Sequence, residues 1–218
     1  MTKVVILSPC YNEEEIISDF IDSIINKTHG AQIVLVDDGS TDRTAEIISE
    51  NKGITLLQLD SNLGQQAALV RGLEQIKDAD IIVTLDSDLQ DDPQYINEMI
   101  RLIRQGHDYA AGIRVDRSSD TFLKRIFASY FYWLIKRIDK NALVNHGDYR
   151  AMSGELLRKY FNSNYKVKYL RGQLPSLAEN IAIVEIIRKK RSKGKTKYTL
   201  LKMLKLAASA FRSNTRSL

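Results

Sequence analysis

The sequence has a single cysteine, Cys10, and only three histidines among its 218 residues. One cysteine excludes an internal disulfide and fits a reducing compartment. The histidines, His29, His107 and His146, lack the spacing of zinc ligands, so a histidine-based metal site is not expected. No apolar run approaches the roughly 18 residues of a membrane-spanning helix. The apolar run at the N-terminus is also too short for a signal peptide.

Glycine-rich phosphate loops are missing as well. Residues 8–12 follow the first predicted strand and contain no glycine, which argues against a nucleotidyltransferase. Residues 194–196 resemble the end of a Walker A loop, but the position of its first glycine holds Lys189. Residues 62–64 do not complete a Gly-x-Gly-x-x-Gly pattern, so dinucleotide binding is not expected.

The charge is distributed unevenly along a chain of ordinary globular composition, 44% hydrophobic and 27% charged. Residues 188–218 contain 11 Lys or Arg and no Asp or Glu, whereas residues 1–187 carry 21 basic and 27 acidic side chains. We therefore expect a domain over 1–187 and a basic tail over 188–218. Such a tail is expected to meet a membrane surface, phosphates or nucleic acid. The alternative is a solvated, partly disordered end.

Short apolar runs alternate with amphipathic stretches through the first hundred residues. The predicted strands are 4–7, 33–36, 54–59 and 81–85. The predicted helices are 16–25, a short one around 45–48, 64–76 and one that begins at Pro93. Four strand-then-helix units in a row predict a parallel, doubly wound sheet with helices on both faces. The strands are continuous apolar runs, as expected where both faces are buried.

The pattern changes after Asp108. The aromatic-rich amphipathic stretch 121–138 is predicted to be a helix that packs in the core, lies in a membrane interface, or does both. Further strands are predicted near 148–152 and at 181–187. A basic amphipathic helix is predicted at 199–211.

Polar side chains, most of them acidic, follow three of the predicted strands, in segments 8–13, 37–40 and 86–88. Ligands of an open parallel sheet bind beyond the carboxyl ends of its strands, so these segments are expected to converge on one site. Two carboxylates ~4 Å apart repel by ~4 kcal/mol at an effective dielectric constant of ~20. A divalent cation removes this repulsion.

Asp86 and Asp88 are the best candidates for metal ligands. Two residues apart in an extended chain, their side chains leave on the same face and can share one hard cation. Mg²⁺ or Mn²⁺ fits such oxygen ligands, with the diphosphate of a nucleotide filling further positions. The structural alternative is that Asp86 ends the strand and Asp88 caps a turn.

Three motifs, in order over the first 93 residues, resemble family 2 glycosyltransferases of the GT-A fold. They are Pro9-x-Tyr11-Asn12-Glu13, Val36-Asp37-Asp38-Gly39-Ser40-x-Asp42 and Asp86-x-Asp88-Leu89-Gln90-Asp91-Asp92-Pro93. Motifs of the second half are similar to those of the polyprenyl-phosphate glycosyltransferases. They include Gly112-x-Arg114-x-Asp116-Arg117, Lys124-Arg125, Gly147-Asp148-Tyr149-Arg150 and Arg191-x-x-Gly194-x-Thr196-Lys197-Tyr198. The resemblance implies an α/β fold of the GT-A (Rossmann-like) type, a mostly parallel sheet flanked by helices, with C-terminal amphipathic helices.

The resemblance also implies a role for individual residues. Those that would bind the nucleotide-sugar donor are Pro9, Tyr11, Asn12, Glu13, Asp38, Asp86, Ser87 and Gln90. Those that would hold the acceptor phosphate are Arg117, Lys124, Arg125, Arg150, Lys195 and Lys197. Asp86 and Asp88 would bind Mg²⁺ or Mn²⁺ and take part in catalysis. Asp148 would be a third catalytic residue or would orient Arg150.

The implied reaction is the inverting transfer of a sugar from a nucleotide-sugar, expected to be a UDP-sugar, to undecaprenyl or dolichyl phosphate. The metal would neutralise charge on the leaving diphosphate, and cations would position the already anionic lipid phosphate. Relatives usually continue into one or two transmembrane helices. This chain is expected to be cytoplasmic, bound peripherally to the inner face of the membrane, with no nucleic-acid partner and a possible homo-oligomeric state.

Two alternatives stay open. A GT-A enzyme that acts on a glycan or polysaccharide acceptor would normally carry a catalytic Glu/Asp-Asp pair and a Gln-x-x-Arg-Trp motif. Residues 171–173, Arg-Gly-Gln, match that motif only in part. A non-enzymatic membrane-binding adaptor would explain the basic tail but would leave the acidic strand ends unexplained.

Overall fold

One mixed sheet organises the protein in the computed structural model, which describes residues 2–28, 30–115, 146–163, 165 and 169–188. Its strands are β1 (Val4–Cys10), β2 (Gln32–Asp37), β3 (Ile54–Gln58), β4 (Ile81–Thr84), β5 (Tyr109–Arg114), β6 (His146–Ser153) and β7 (Ile181–Ile186). The helices are α1 (Ile17–Ile25), α2 (Thr44–Ser49), α3 (Gln65–Gln75), α4 (Ile96–Arg104), α5 (Gly154–Asn162) and α6 (Leu170–Leu177).

The strands lie in the order β3-β2-β1-β4-β6-β5-β7. Parallel pairs join β1 to β2 and β4, β2 to β3, and β5 to β7, whereas β6 runs antiparallel to both of its neighbours. The predicted mostly parallel sheet is therefore confirmed. Because β6 is reversed, its first residues lie beside the last residues of β4, with Thr84 opposite Arg150. This pairing brings a second-half segment to the edge of the sheet where the acidic strand ends are found.

The core consists of two apolar layers, one on each face of the sheet. Alternate residues of β1 enter different layers: Ile6 packs with α1 and α4, and Leu7 packs with α3 and α5. All seven residues of β1 are buried, which explains its continuous apolar run. Full burial of a side chain such as Ile6 or Leu7 contributes about 1.5–3 kcal/mol to the free energy of unfolding.

The predicted helices of the first half are confirmed, and their spacing shows why they form. In α1 the buried residues are Ile17, Phe20, Ile21 and Ile24, and α4 repeats the pattern with Ile96, Met99, Ile100 and Ile103. Pro93 opens a 3₁₀ turn, Pro93–Tyr95, that leads into α4. The side chain of Asp92 caps this turn by accepting a hydrogen bond from the Gln94 N–H at 3.0 Å.

Three elements of the second half are not predicted by the sequence patterns: β5, α5 and α6. The strand β5 begins Tyr-Ala-Ala-Gly, residue types with little intrinsic preference for strands apart from the tyrosine. Burial between two neighbouring strands decides its conformation. The predicted helices at 121–138 and 199–211 lie outside the described residues. Within the described ranges, none of the helices has the length and apolar character needed to cross a bilayer.

A glycine fixes the close approach of two loops at the carboxyl edge of the sheet. Gly39, which follows β2, has φ of +69°, and a Cβ atom there would lie 2.6 Å from the carbonyl carbon of Ser61. Gly30 has a similar φ of +79° but nothing within 4 Å of the corresponding position. A comparison of substitutions at the two glycines therefore separates the cost of backbone strain from the cost of a steric clash.

Gly30→Ala should lower the free energy of unfolding by about 1–2 kcal/mol, the strain of a left-handed alanine. Gly39→Ala should lower it by roughly 1–3 kcal/mol more, because the loop backbone at 61–62 must also move. Urea denaturation of both variants measures the difference. Equal losses would show that the loops are not held at this distance.

Candidate functional site

The predicted convergence of three strand ends is present in the structure. The Ser87 hydroxyl donates to the Pro9 carbonyl at 2.9 Å, which joins the segment after β4 to the last residues of β1. The backbone N–H of Asn12 donates to Ser40 Oγ at 2.9 Å, and the Asn12 side chain accepts from the Thr41 N–H at 2.8 Å. These bonds fix the predicted donor loop, residues 9–13, against the turn that follows β2.

Asp38 stabilises the next loop of the site. Its two carboxylate oxygens accept hydrogen bonds from the N–H groups of Leu63 and Gly64 at 2.8 and 2.9 Å. Burial raises the pKa of Asp38, and these two bonds oppose the rise. An open cleft of about 360 Å³ lies immediately beside it, lined by Gly39, Ser40, Thr41, Gln58, Leu59 and Asp60. The predicted contact of Asp38 with the nucleotide-sugar donor stays a prediction.

Asp86 and Asp88 both contact the guanidinium of Arg188. Nη2 of Arg188 lies 3.2 Å from Asp86 Oδ2 and 3.4 Å from Asp88 Oδ2. Its Nε atom lies 3.2 Å from Oδ1 of the buried Asp91. Gln90 donates its backbone N–H to Asp88 Oδ1 at 3.1 Å and so orients that carboxylate. Among the described residues, no group of three His, Cys, Asp or Glu side chains is arranged to hold a metal.

The pKa of Asp86 is raised to about 7. Burial is the largest cause, followed by the negative charges of Asp148, Asp91 and Asp88, and Arg188 offsets only part of the rise. A carboxylate in this position is stabilised by any cation that reaches it. The pair Asp86 and Asp88 supplies oxygen ligands of the kind preferred by Mg²⁺ and Mn²⁺, and it already accepts one cation.

Asp148 lies at the centre of a buried hydrogen-bond network. Arg150 Nη2 contacts one of its oxygens, and Arg171 binds both, with Nη2 at 2.5 Å and Nε at 3.1 Å. The amide nitrogen of Gln65 bridges Asp148 Oδ2, at 3.1 Å, and Asp86 Oδ1, at 2.6 Å. Gln66 also donates to Asp148, at 3.2 Å. The network therefore connects β6, α3 and α6 to the carboxylates after β4.

This network keeps Asp148 ionised. Burial by itself raises the pKa of Asp148, but the charges of Arg150 and Arg171 more than offset this effect and the pKa lies well below its usual range. A carboxylate with so low a pKa is a poor proton acceptor. Of the two predicted roles, general catalysis and orientation of an arginine, the geometry favours orientation.

The structure places Arg150, one of the predicted ligands of the acceptor phosphate, in the interior of the protein. The Arg150 side chain is only 1% exposed, and it donates to Asp148 and, at 3.2 Å, to Thr84 Oγ1. It lies beneath the site, because Arg150 pairs with the last residue of β4 in the middle of the sheet. The other predicted phosphate ligands, Arg117, Lys124, Arg125, Lys195 and Lys197, lie outside the described residues and stay predictions.

Sequence reasoning missed four residues of this site: Gln65, Gln66, Arg171 and Arg188. Both glutamines begin α3 on the same edge as the acidic strand ends, and Arg188 follows β7. The rule that ligands bind beyond strand ends would have selected Arg188 had it been applied to the last strand. Arg171 belonged to the partial motif match at 171–173.

Cys10 is buried and its pKa is raised well above the usual value, chiefly by burial, so a nucleophilic role is not supported.

Comparison with known proteins gives consistent matches. Residues 5–161 match the family model described as "Glycosyl transferase family 2". An uncharacterized glycosyltransferase of Bacillus subtilis, YkoT, is 37% identical over 95% of this chain and 66% of its own length. The prophage bactoprenol glucosyl transferase homolog of Escherichia coli is 31% identical over 97% of this chain and 72% of its own length. An undecaprenyl-phosphate 4-deoxy-4-formamido-L-arabinose transferase of Edwardsiella ictaluri is 29% identical over 93% of this chain and 65% of its own length.

This chain thus spans just under two thirds of the length of the first curated relatives. Among solved structures, glucosyl-3-phosphoglycerate synthase from Mycobacterium tuberculosis, in complex with Mn²⁺, UDP and phosphoglyceric acid, has a TM-score of 0.67 at 20% identity. The match covers 98% of this chain and 79% of that one. S. aureus TarS 1–349 has a TM-score of 0.59 at 18% identity, over 88% of this chain and 59% of that one. These structures confirm the predicted GT-A fold.

Asp148→Asn should lower the free energy of unfolding by about 3–5 kcal/mol, because it leaves the buried Arg150 without its counter-charge. The matched control is Glu179→Gln, which breaks the exposed ion pair with Lys159 and should have no measurable effect. Urea denaturation measures both. A loss for Asp148→Asn no larger than that of the control would show that the network does not stabilise the fold.

Asp86→Asn should stabilise the protein in the absence of metal, and the gain should depend on pH. The pKa of Asp86 is about 7 in the folded protein and 3.8 ordinarily, so between these two pH values folded wild type holds a proton that the unfolded chain has lost. The free energy of unfolding of wild type therefore falls as the pH rises from 3.8 to about 7. The variant has no carboxyl group at this position and does not show this loss. The gain should be near zero below pH 4 and reach about 2–4 kcal/mol above pH 7. Thermal unfolding at pH 4 and pH 8 tests this, and a gain that does not grow with pH would contradict it.

Proposed function

Since the chain belongs to glycosyl transferase family 2, we propose that it transfers a sugar from a nucleotide-sugar to a polyprenyl phosphate, with inversion at the anomeric carbon. One observation supports the part of this proposal that concerns the nucleotide-sugar donor. Asp86 and Asp88 present their oxygens to one cation at the carboxyl end of β4. The sheet edge there also bears the donor loop 9–13 and the cleft at 39–41 and 58–60.

The donor would lie across this edge of the sheet. Its nucleoside would occupy the cleft beside Asp38, between the turn at 39–41 and the residues that follow β3. Its diphosphate would point toward Asp86 and Asp88, which would hold Mg²⁺ or Mn²⁺. When bound, the metal neutralises the charge that grows on the leaving diphosphate. A UDP-sugar is the donor that the resemblance implies, and the experiment below compares three bases.

The residues around Asp148 would position anionic groups rather than move protons. Arg171 is held by two hydrogen bonds to Asp148 while 26% of its side chain stays exposed. A guanidinium fixed in this way is suited to bind a phosphate. In the transfer, an oxygen of the acceptor phosphate attacks the anomeric carbon and the bond to the diphosphate breaks. An ionised phosphate needs no base, which fits the lowered pKa of Asp148.

The acceptor half of the proposal is supported by the relatives. Two of them are named as transferases that use bactoprenol or undecaprenyl phosphate. The basic segment 188–218 supports contact with an anionic membrane surface, at roughly 1 kcal/mol per Lys or Arg close to the bilayer. We propose a peripheral position on the cytoplasmic face of the membrane for this chain, and a homo-oligomer as its assembly.

Calorimetric titration with UDP, GDP and CDP, with and without Mn²⁺, tests the donor site. One nucleotide should bind in a Mn²⁺-dependent manner. Asp88→Asn should weaken that binding by about 100-fold, since even residues behind the metal ligands change affinity 10–100-fold. Asp78→Asn, which removes an exposed carboxylate paired with Lys3, should bind like wild type.

The acceptor is tested with the nucleotide-sugar of the base that binds. Labelled sugar should pass to undecaprenyl phosphate in detergent micelles and not to a soluble glycan. Transfer only to the glycan would replace the acceptor assignment with the polysaccharide alternative. Failure of folded wild type to bind any of the three nucleotides would overturn the donor site itself.

A further inference from the structure

Arg188 differs from the other ion-paired arginines of the described residues in the number of carboxylates that it meets. Its guanidinium contacts Asp86, Asp88 and Asp91, at 3.2, 3.4 and 3.2 Å. The side chains of Arg188, Asp86 and Asp88 are 20%, 18% and 17% exposed, and that of Asp91 is 2% exposed. The contacts are therefore shielded from water and stronger than those of a surface ion pair.

The arginine compensates a concentration of negative charge. Three carboxylates, those of Asp86, Asp88 and Asp91, lie within ion-pair distance of one guanidinium, that of Arg188. Without a metal, this guanidinium supplies the counter-charge that keeps the carboxylates near one another in the folded protein.

A divalent metal would need the same two oxygens. Oδ2 of Asp86 and Oδ2 of Asp88 both lie against Nη2 of Arg188. A divalent ion at ~4 Å from a guanidinium would be repelled by ~8 kcal/mol at an effective dielectric constant of ~20. The metal and Arg188 therefore cannot both occupy the space between these carboxylates.

The contacts of Arg188 are longer than those of a bidentate arginine–carboxylate pair. Asp86 and Asp88 each accept one hydrogen bond from Nη2, at 3.2 and 3.4 Å, and the contact of Nε with Asp91 at 3.2 Å is an ion pair without a hydrogen bond. Mg²⁺ and Mn²⁺ bind carboxylate oxygens much more closely and carry twice the charge. Exchange of the guanidinium for a metal ion is therefore favourable once the ion has lost part of its water shell.

We propose that Arg188 is the resident counter-cation of the Asp86–Asp88 pair and that a divalent metal binds by displacing it. This inference rests on the proposed function, because it takes the pair to be the metal site. Arg188 lies two residues after the end of β7 and is the first residue of the basic segment 188–218. Occupation of the metal site is thereby coupled to the position of the first residue of that segment.

The test is Mn²⁺ binding without nucleotide at pH 8, followed through the electron paramagnetic resonance signal of the free ion. Arg188→Gln removes the competing charge and should lower the Kd for Mn²⁺ by roughly 10-fold or more. Arg188→Lys keeps a charge and should fall between Arg188→Gln and wild type. Arg43→Gln, a change in an exposed ion pair with Glu46, should match wild type.

A second measurement guards against misfolding of Arg188→Gln. Its melting temperature without metal should lie below that of wild type, because the carboxylates lose their counter-charge. Saturating Mn²⁺ should raise it by more than it raises wild type. A residue with only a structural role would lower both melting temperatures and leave the Mn²⁺ affinity unchanged or weaker.

The outcomes separate this inference from the proposed function. An unchanged or larger Kd in Arg188→Gln, with Mn²⁺ binding still abolished by Asp88→Asn, would overturn the displacement and leave the metal site intact. If neither wild type nor Arg188→Gln bound Mn²⁺ with or without nucleotide, the metal site and the displacement would both be overturned. Tighter binding in Arg188→Gln that Asp88→Asn abolishes is the expected result.

Discussion

The site depends on the ion pairs and hydrogen bonds made by one buried carboxylate, that of Asp148. Its oxygens are bound by two arginines and two glutamines from β6, α6 and the start of α3. Because a buried charge is tolerated only when it is paired and hydrogen-bonded, each of these partners is needed where it lies. The requirement fixes α3 and α6 relative to the sheet. It also gives Arg171 one orientation, set by its two hydrogen bonds to Asp148.

The position of Asp148 follows from the direction of one strand. In a sheet that was parallel throughout, the first residues of β6 would lie at the amino ends of their neighbours, away from the acidic strand ends. The antiparallel β6 instead places Asp148 two residues before the partner of Thr84, and Thr84 Oγ1 donates to the Asp148 carbonyl at 2.5 Å. Residues more than 60 positions apart in sequence thus share one hydrogen-bond network. Arg188 comes to the same edge from β7, so three separate parts of the chain balance one another's charge.

Charge balance also connects stability with function here. Asp86 has a pKa of about 7 because burial and three neighbouring carboxylates oppose its ionisation. Such a site is unfavourable for the folded protein until a cation enters, and this is the arrangement that gives a cation-binding site its affinity. The protein supplies a cation of its own, Arg188, at 3.2–3.4 Å, and this guanidinium offsets only part of the negative charge.

The sequence by itself determined the family, the parallel first half of the sheet and the Asp86-x-Asp88 pair. These depend on local patterns: apolar runs of strand length, helical spacing such as Ile17, Phe20, Ile21 and Ile24, and acidic residues directly after strands. Only the tertiary structure decided that β5 is a strand, that β6 runs antiparallel, and that Arg150 lies buried under the site. It also decided which cations meet which carboxylates. Such pairings join residues as far apart as Asp86 and Arg188, and no local pattern records a contact across a sheet. Strand direction and the burial of charge are set by the packing of the whole domain, which explains why the positions of the acidic residues after the strands were predictable and their ion-pair partners were not.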